Sequence, residues 1–238
     1  MQLVIFTIVF FIVTGGVGMY FGNRKVDATI AKQRWVKYVA YILITTGIVL
    51  SIWFRLFSIV AIVIVLAGYY ELVRVPNNKR YSLALILFTI IAAGFLFYSI
   101  QFNRKFQFFI YLQILAFDAF SQVTGQFSGK TLLAPKISPS KTLEGLIGGI
   151  CFCILSSLLT SNWMSISIIT AIIFGLVTSI FGFAGDMLAS YYKRVAGIKD
   201  YSNLLPGQGG FLDRFDSFMM SAFCYSIIYL IVPNALPA

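Results

Sequence analysis

The sequence predicts an all-α, polytopic integral membrane protein with about eight transmembrane helices. Three observations carry this. Of the 238 residues, 59% are apolar and only 11% are charged, against about 25% charged in an ordinary soluble domain. The mean hydropathy is +0.89. The 18 basic residues fall in short clusters between apolar runs, as membrane loops do. So few charges leave a surface that water does not solvate, so lipid is the expected solvent.

A span needs about 20 mostly apolar residues. The first is 2–22. Its N-terminus carries no basic residue, no small-residue cleavage site follows it, and Arg24 and Lys25 come after it. It is therefore expected to be an uncleaved span with its N-terminus outside, not a signal peptide. The second and third, 36–54 and 57–74, are joined by a tight turn around Arg55. The fourth and fifth are 81–100 and 106–126, and the sixth is 143–161. The seventh, 165–192, carries charge in its C-terminal part, and the eighth is 212–233. An even number of spans places both termini outside.

Eight spans send alternate loops to opposite sides. One side receives Arg24, Lys25, Lys32, Arg34 and Lys37, then Arg74, Lys79 and Arg80, then Lys130, Lys136 and Lys141, then Lys193, Arg194, Lys199 and Arg214. The other receives only Arg55, Arg104 and Lys105. The positive-inside rule makes the first side cytoplasmic. The basic clusters belong to this topology, so no nucleic-acid partner is expected.

Composition also removes classes of chemistry. With no histidine, Ser-His and Cys-His nucleophiles, His-ligated zinc or haem and His proton shuttles are excluded. Cys151, Cys153 and Cys224 lie in apolar runs. An odd count without C-x-x-C spacing gives neither a metal site nor a disulfide framework. Only Asp27 and Glu71 are acidic in the first 105 residues, whereas Asp118, Glu144, Asp186, Asp200, Asp213 and Asp216 alternate with cations and glycines later on. Two regions are therefore expected: transmembrane helices over 1–105 and a catalytic transmembrane region over 106–238, with the chemistry after residue 115.

Carboxylates at membrane depth are costly, and by default they mark function. Asp118 heads a polar stripe with Ser121, Gln122 and Gly125 at i+3, i+4 and i+7. Asp186, Ser190 and Lys193 share a face at i, i+4 and i+7, with Arg194 beside them and Gly182 and Gly185 just before. After Lys199-Asp200 comes Pro206-Gly207-Gln208-Gly209-Gly210, then Asp213-Arg214-Phe215-Asp216-Ser217 at the start of the eighth span. Glycines before a helix N-terminus expose backbone N–H groups to an anion. Before the sixth span, Ala134 to Gly145 reads APKISPSKTLEG. Ser138 is the expected N-cap, with Pro139 opening the helix. Lys141 and Thr142 would then stand in its first turn, where a cation opposes the dipole unless a phosphate binds. Gly125 to Thr131 reads GQFSGKT, which is one residue short between its glycines and follows a hydrophobic span, so it is not a P-loop.

Carboxylates together with a polyphosphate hold Mg²⁺, and Lys and Arg neutralise phosphate oxygens. This inventory predicts phosphoryl or nucleotidyl transfer on the cytoplasmic side, with a lipid co-substrate. A lipid phosphate is already anionic near neutral pH and needs no general base, which agrees with the absence of histidine.

The stretch from Ser190 to Asp216 closely resembles the signature of the phosphatidate cytidylyltransferases (CDP-diacylglycerol synthases): S-x-x-K-R, K-D, P-G-H-G-G and D-R-x-D in order. Leu133 to Gly145 resembles their A-P-K-x-S-P-x-K-T-x-E-G block. The resemblance covers roughly residues 115–220. It implies an all-helical membrane bundle, usually a homodimer, that joins CTP and phosphatidic acid into CDP-diacylglycerol and pyrophosphate at a divalent metal, expected as Mg²⁺, with room for a second cation. It implies Asp186 and Asp213 as metal ligands and catalytic residues, with Lys193, Arg214 and Asp216. It further implies that Ser190, Arg194, Lys199, Asp200, Gly207, Gln208, Gly209 and Gly210 bind nucleotide phosphates or organise the site. Lys136, Ser138, Lys141 and Thr142 bind phosphate on the same basis, and Asp118 is a polar site residue. One position departs: Gln208 stands where the family usually has histidine, and Gln donates and accepts a hydrogen bond but holds no titratable proton. The alternatives are a related enzyme using another lipid phosphate or alcohol, and a non-catalytic or transport homologue. Compactness and the lack of targeting tails point to a bacterial inner membrane.

Overall fold

The computed structural model describes residues 27–76, 79–205 and 207–236, with Val13, Gly16, Tyr20, Asn23 and Arg24. Most of the first expected span, with Lys25 and Pro206, lies outside the described residues. The described part holds seven long helices: α1 (Ala28–Trp53), α2 (Phe57–Arg74), α3 (Tyr81–Gln101), α4 (Arg104–Ser128), α5 (Leu143–Met164), α6 (Ile168–Val195) and α7 (Leu212–Ile231). Six of them, α1 to α6, are long and apolar enough to cross a membrane. The seventh, α7, carries Asp213, Arg214 and Asp216 in its first two turns. The chain is thus an all-α polytopic membrane protein. One short antiparallel hairpin, β1 (Leu132–Ala134) and β2 (Ser138–Thr142), precedes α5.

The second span begins earlier than expected, at Ala28, so Lys32, Arg34 and Lys37 stand on the first turns of α1. Their long stems let the charged heads reach the interface from there. The turn between α1 and α2 is as tight as expected. Leu56 N–H donates to Ser51 O at 2.7 Å, Arg55 N–H donates to Ile52 O at 3.3 Å, and Arg55 takes φ +60°. The end of α5 repeats this with Ser165 at φ +57°. A non-glycine residue in that region costs about 1–2 kcal/mol, part of which glycine returns as chain entropy. Ser165→Gly is therefore expected to stabilise the protein by about 0.5–1 kcal/mol, read as a rise in thermal midpoint in detergent.

On α2, Phe57, Ala61, Ile64, Val65, Gly68, Glu71 and Leu72 are buried, a helical stripe that faces the bundle. Ile59, Ile62, Val63, Leu66 and Val73 are exposed on the other face. A helix apolar all round suits lipid on one side and protein on the other. The hub is α4, buried almost continuously from Phe106 to Phe117. Around it α5 packs on α6, α6 on α7, and α7 on α3. Phe218 of α7 joins the layers through ring contacts with Tyr111 at 5.1 Å, Phe95 at 5.5 Å and Phe57 at 5.9 Å. Gly145 and Gly149 let α5 close on α4, since a Cβ at either would strike Ser121.

One expectation is corrected at the hairpin. Ser138 does not cap a helix, and Pro139 does not open one: both lie in β2, where Ser138 pairs with Ala134. The cap of α5 is Thr142, whose Oγ1 accepts from Gly145 N at 3.1 Å. Lys141 consequently lies in a strand, so the expected conflict with the helix dipole does not arise.

Candidate functional site

The polar residues gather where α2, α4 and α6 end and α5 and α7 begin. At Gly185, an added Cβ would meet Asp216 O at 2.5 Å, so this glycine lets α6 and α7 touch and sets Asp186 beside Asp216. Asp186 forms an ion pair with Lys141 and accepts from Ser190 Oγ at 3.3 Å. Ser217 Oγ donates to Asp118 Oδ1 at 3.4 Å. Asp118 opens on a recess walled by protein. Asp118, Asp186 and Asp216 are close enough to repel one another. Lys141 and Arg214 offset that repulsion at Asp118, and Lys193 does so at Asp216. A recess of three mutually repelling carboxylates crossed by three cations suits a ligand that itself combines cation and anion.

Asp213 is placed differently. Its side chain is 2% exposed and all its donors are protein groups. Lys193 Nζ donates to Oδ1 at 2.6 Å, and the N–H groups of Tyr201 and Gly210 both donate to Oδ2 at 2.9 Å. It ties the glycine loop to α6 and α7. Burial, then the neighbouring Asp216 and Asp213 carboxylates, push the Tyr201 phenol up, so it stays protonated and donates to Ala189 O at 3.3 Å.

The glycine loop turns back on itself. Gln208 N–H donates to Leu205 O and Leu205 N–H to Gly209 O, both at 2.9 Å. Gly207 and Gly209 take φ +70° and +86°, a region open to glycine. Asp200 packs against Gly209. Gln208 donates to Lys37 O of α1 at 2.6 Å, so it anchors the loop, a task that needs no titratable proton.

The loop's second anchor lies far from it in the chain, so no local spacing connects the two. Glu71 of α2 is fully buried and accepts from Ser202 Oγ at 2.6 Å, Phe211 N at 2.8 Å and Leu212 N at 2.9 Å. It supplies acceptors for N–H groups that a helix start leaves unpaired. Any Cβ at position 210 would strike its carboxylate. A residue of the N-terminal region thus holds in place the loop on which the chemistry is expected.

Other expected residues separate into two groups. Arg194 clamps backbone, donating to Ile137 O at 3.0 Å and Ile198 O at 3.2 Å, so it holds the hairpin against α6. Lys136 and Lys199 are exposed, Lys136 in the hairpin turn and Lys199 in the loop after α6. Ser138 and Thr142 are buried in the hairpin. Within the α4 stripe, Ser121 and Gly125 face α5, and Asp118 borders the recess. Gly125 to Ser128 is helix, and the N–H groups of Lys130 and Thr131 donate to Glu144 at 3.1 and 3.2 Å. A P-loop would leave those groups for phosphate, so the structure agrees with its rejection. Among the described residues no three His, Cys, Asp or Glu side chains converge as a ready metal cage.

The fold and site together define a helical membrane protein with an acidic, cation-crossed recess at one end of its bundle. The chain matches the cytidylyltransferase family over residues 2–232 and belongs to that family. It is similar to the phosphatidate cytidylyltransferase of Aquifex aeolicus (strain VF5), 35% identical over 170 residues, covering 70% of this chain and 62% of the relative. It is also similar to the phosphatidate cytidylyltransferase of Staphylococcus aureus (strain COL), 36% identical over 133 residues, covering 54% and 51%. A third relative is the uncharacterized protein YnbB of Escherichia coli (strain K12), 41% identical over 115 residues, covering 47% and 39%. The chain thus spans about two fifths to three fifths of the length of these relatives.

Proposed function

We propose that the chain transfers the cytidylyl group of CTP to phosphatidic acid, forming CDP-diacylglycerol and pyrophosphate. The observation that carries this is the recess itself: Lys141 pairs with Asp186 and Lys193 with Asp213, beside Asp118 and Asp216, in a member of the cytidylyltransferase family. A lipid phosphate oxygen bonds to the α-phosphorus of CTP, and the bond from that phosphorus to the oxygen bridging to the β-phosphate breaks. Pyrophosphate leaves with the electron pair. Lys141 and Arg214 neutralise phosphate oxygens as two anions approach.

The donor set fits Mg²⁺ completed by substrate phosphates, the usual arrangement for this ion. Asp186 would hold it, with Asp118 or Asp216, and Asp213 would join only if Lys193 moved to a phosphate. When bound, the ion supplies charge neutralisation at the triphosphate and the attacking phosphate. The positive-inside asymmetry supports a recess facing the cytoplasm, where CTP is found, and the bacterial relatives support an inner membrane. The family resemblance supports a homodimer.

The test is purified protein in detergent with CTP, phosphatidic acid and Mg²⁺. The expected result is CDP-diacylglycerol by mass spectrometry with one pyrophosphate per lipid, abolished by EDTA and restored by Mg²⁺. Turnover with an isoprenoid phosphate but not with phosphatidic acid would replace the lipid in this reading. No product from any lipid phosphate would remove the reading.

A further inference from the structure

A cleft lies between α3 and α6, floored by α7, and it is not part of the acidic recess. Its α3 wall is Leu83, Leu87 and Ile91, at i, i+4 and i+8, facing Leu188 of α6 and Met220 of α7. Polar groups occur at two places. Arg80 stands at its outer end, with the guanidinium 5.3 Å from the Tyr191 ring. Asp216, shared with the recess, lies in its wall with Gly185. From Arg80 to Ile91 the cleft runs about 16 Å at 1.5 Å per residue, close to one leaflet of a 30 Å hydrocarbon core. Leu83 is 51% exposed, so the cleft opens sideways at its α3 wall.

We propose that this cleft seats one acyl chain of the lipid phosphate substrate, with Arg80 at the headgroup level and Asp216 marking where the cleft joins the recess. This rests on the reading of the chain as a lipid-phosphate cytidylyltransferase and deepens it. Four features select this occupant. The walls are aliphatic and aromatic, which suits a hydrocarbon chain. The length matches one leaflet. Asp216 lines the cleft and also borders the recess, so a chain seated here sets its headgroup beside the carboxylates, and Arg80 in the lining suits an anionic lipid. A bulk lipid lying against any apolar face needs neither of the last two.

The test uses the full chain in nanodiscs with phosphatidic acid carrying a diazirine at mid-chain. Photolysis is expected to label peptides containing residues 83–91 and 185–192. Unlabelled phosphatidic acid should compete and phosphatidylcholine should not. Labelling confined to other helices, or equal competition by both lipids, overturns the proposal. In turnover, Leu87→Trp is expected to raise KM for dioleoyl phosphatidic acid about tenfold, as loss of room for two methylenes implies. It should leave KM for CTP and for dihexanoyl phosphatidic acid unchanged. An equal loss for both chain lengths contradicts the seat. If Leu87→Trp does not yield folded protein, Leu83→Trp, already half exposed, carries the same comparison. The two readings fail separately: competed labelling in the cleft without turnover removes the reaction, and turnover with labelling elsewhere removes the cleft.

Discussion

Glu71→Ala is expected to lower turnover about 100-fold or more while leaving the bundle folded. The carboxylate is the acceptor for Ser202, Phe211 and Leu212. Removing it leaves two backbone N–H groups at the start of α7 buried without a partner, at about 1–3 kcal/mol each. The loop from Ser202 to Gly210 then loses its hold on α2 and keeps only Gln208 on Lys37 and Asp213 on its own N–H groups. A reacting geometry displaced by about 1 Å loses about 100-fold in rate. Glu71→Gln keeps one acceptor oxygen but turns an NH₂ toward a donor, so an intermediate loss is expected. The readouts are kcat, and proteolysis of the loop in intact protein. Normal kcat in Glu71→Ala with a protected loop would show that the contact is dispensable.

Asp213→Asn is expected to reduce turnover about 1,000-fold, and its cause is separable from simple unfolding. Lys193 is 11% exposed and its partner carboxylate 2% exposed. Breaking a buried pair by removing one charge costs about 3–5 kcal/mol, because the other charge is left uncompensated. Asn also presents an NH₂ to one of the donors now held by the carboxylate. Adding Lys193→Met removes the orphaned charge, so the double variant should regain thermal stability relative to Asp213→Asn and remain inactive. A double variant as unstable as the sum of the two singles would mean that the pair is not coupled.

The spans were legible because lipid demands apolar side chains on outward faces as well as inward ones, and few sequences meet that demand by chance. Helix ends shifted where charge was read as loop: Lys32, Arg34 and Lys37 belong to α1 because their stems are apolar. The recess was legible because acidic residues are few in this chain, so Asp118, Asp186 and Asp216 stood out. Their roles were less legible than their presence. Arg194 was expected to bind phosphate or organise the site, and only the structure shows its Nε and Nη1 holding the carbonyls of Ile137 and Ile198. Ser138 and Thr142 are both competent caps, and only the hairpin decides between them. Glu71 did carry a signal, a carboxylate in an otherwise apolar helix, but its partners lie more than a hundred residues away and no local spacing connects them.

The central claim is that the recess transfers a cytidylyl group to a lipid phosphate. It is tested most directly by running the same reaction twice, with CTP labelled at its α- or its γ-phosphorus, in vesicles containing phosphatidic acid and Mg²⁺. The account predicts α-label in the lipid phase and γ-label in aqueous pyrophosphate, with both transfers lost in Asp186→Asn. Label from the γ-phosphorus in the lipid would show phosphoryl rather than cytidylyl transfer, and undiminished α-label with Asp186→Asn would place the chemistry outside this recess.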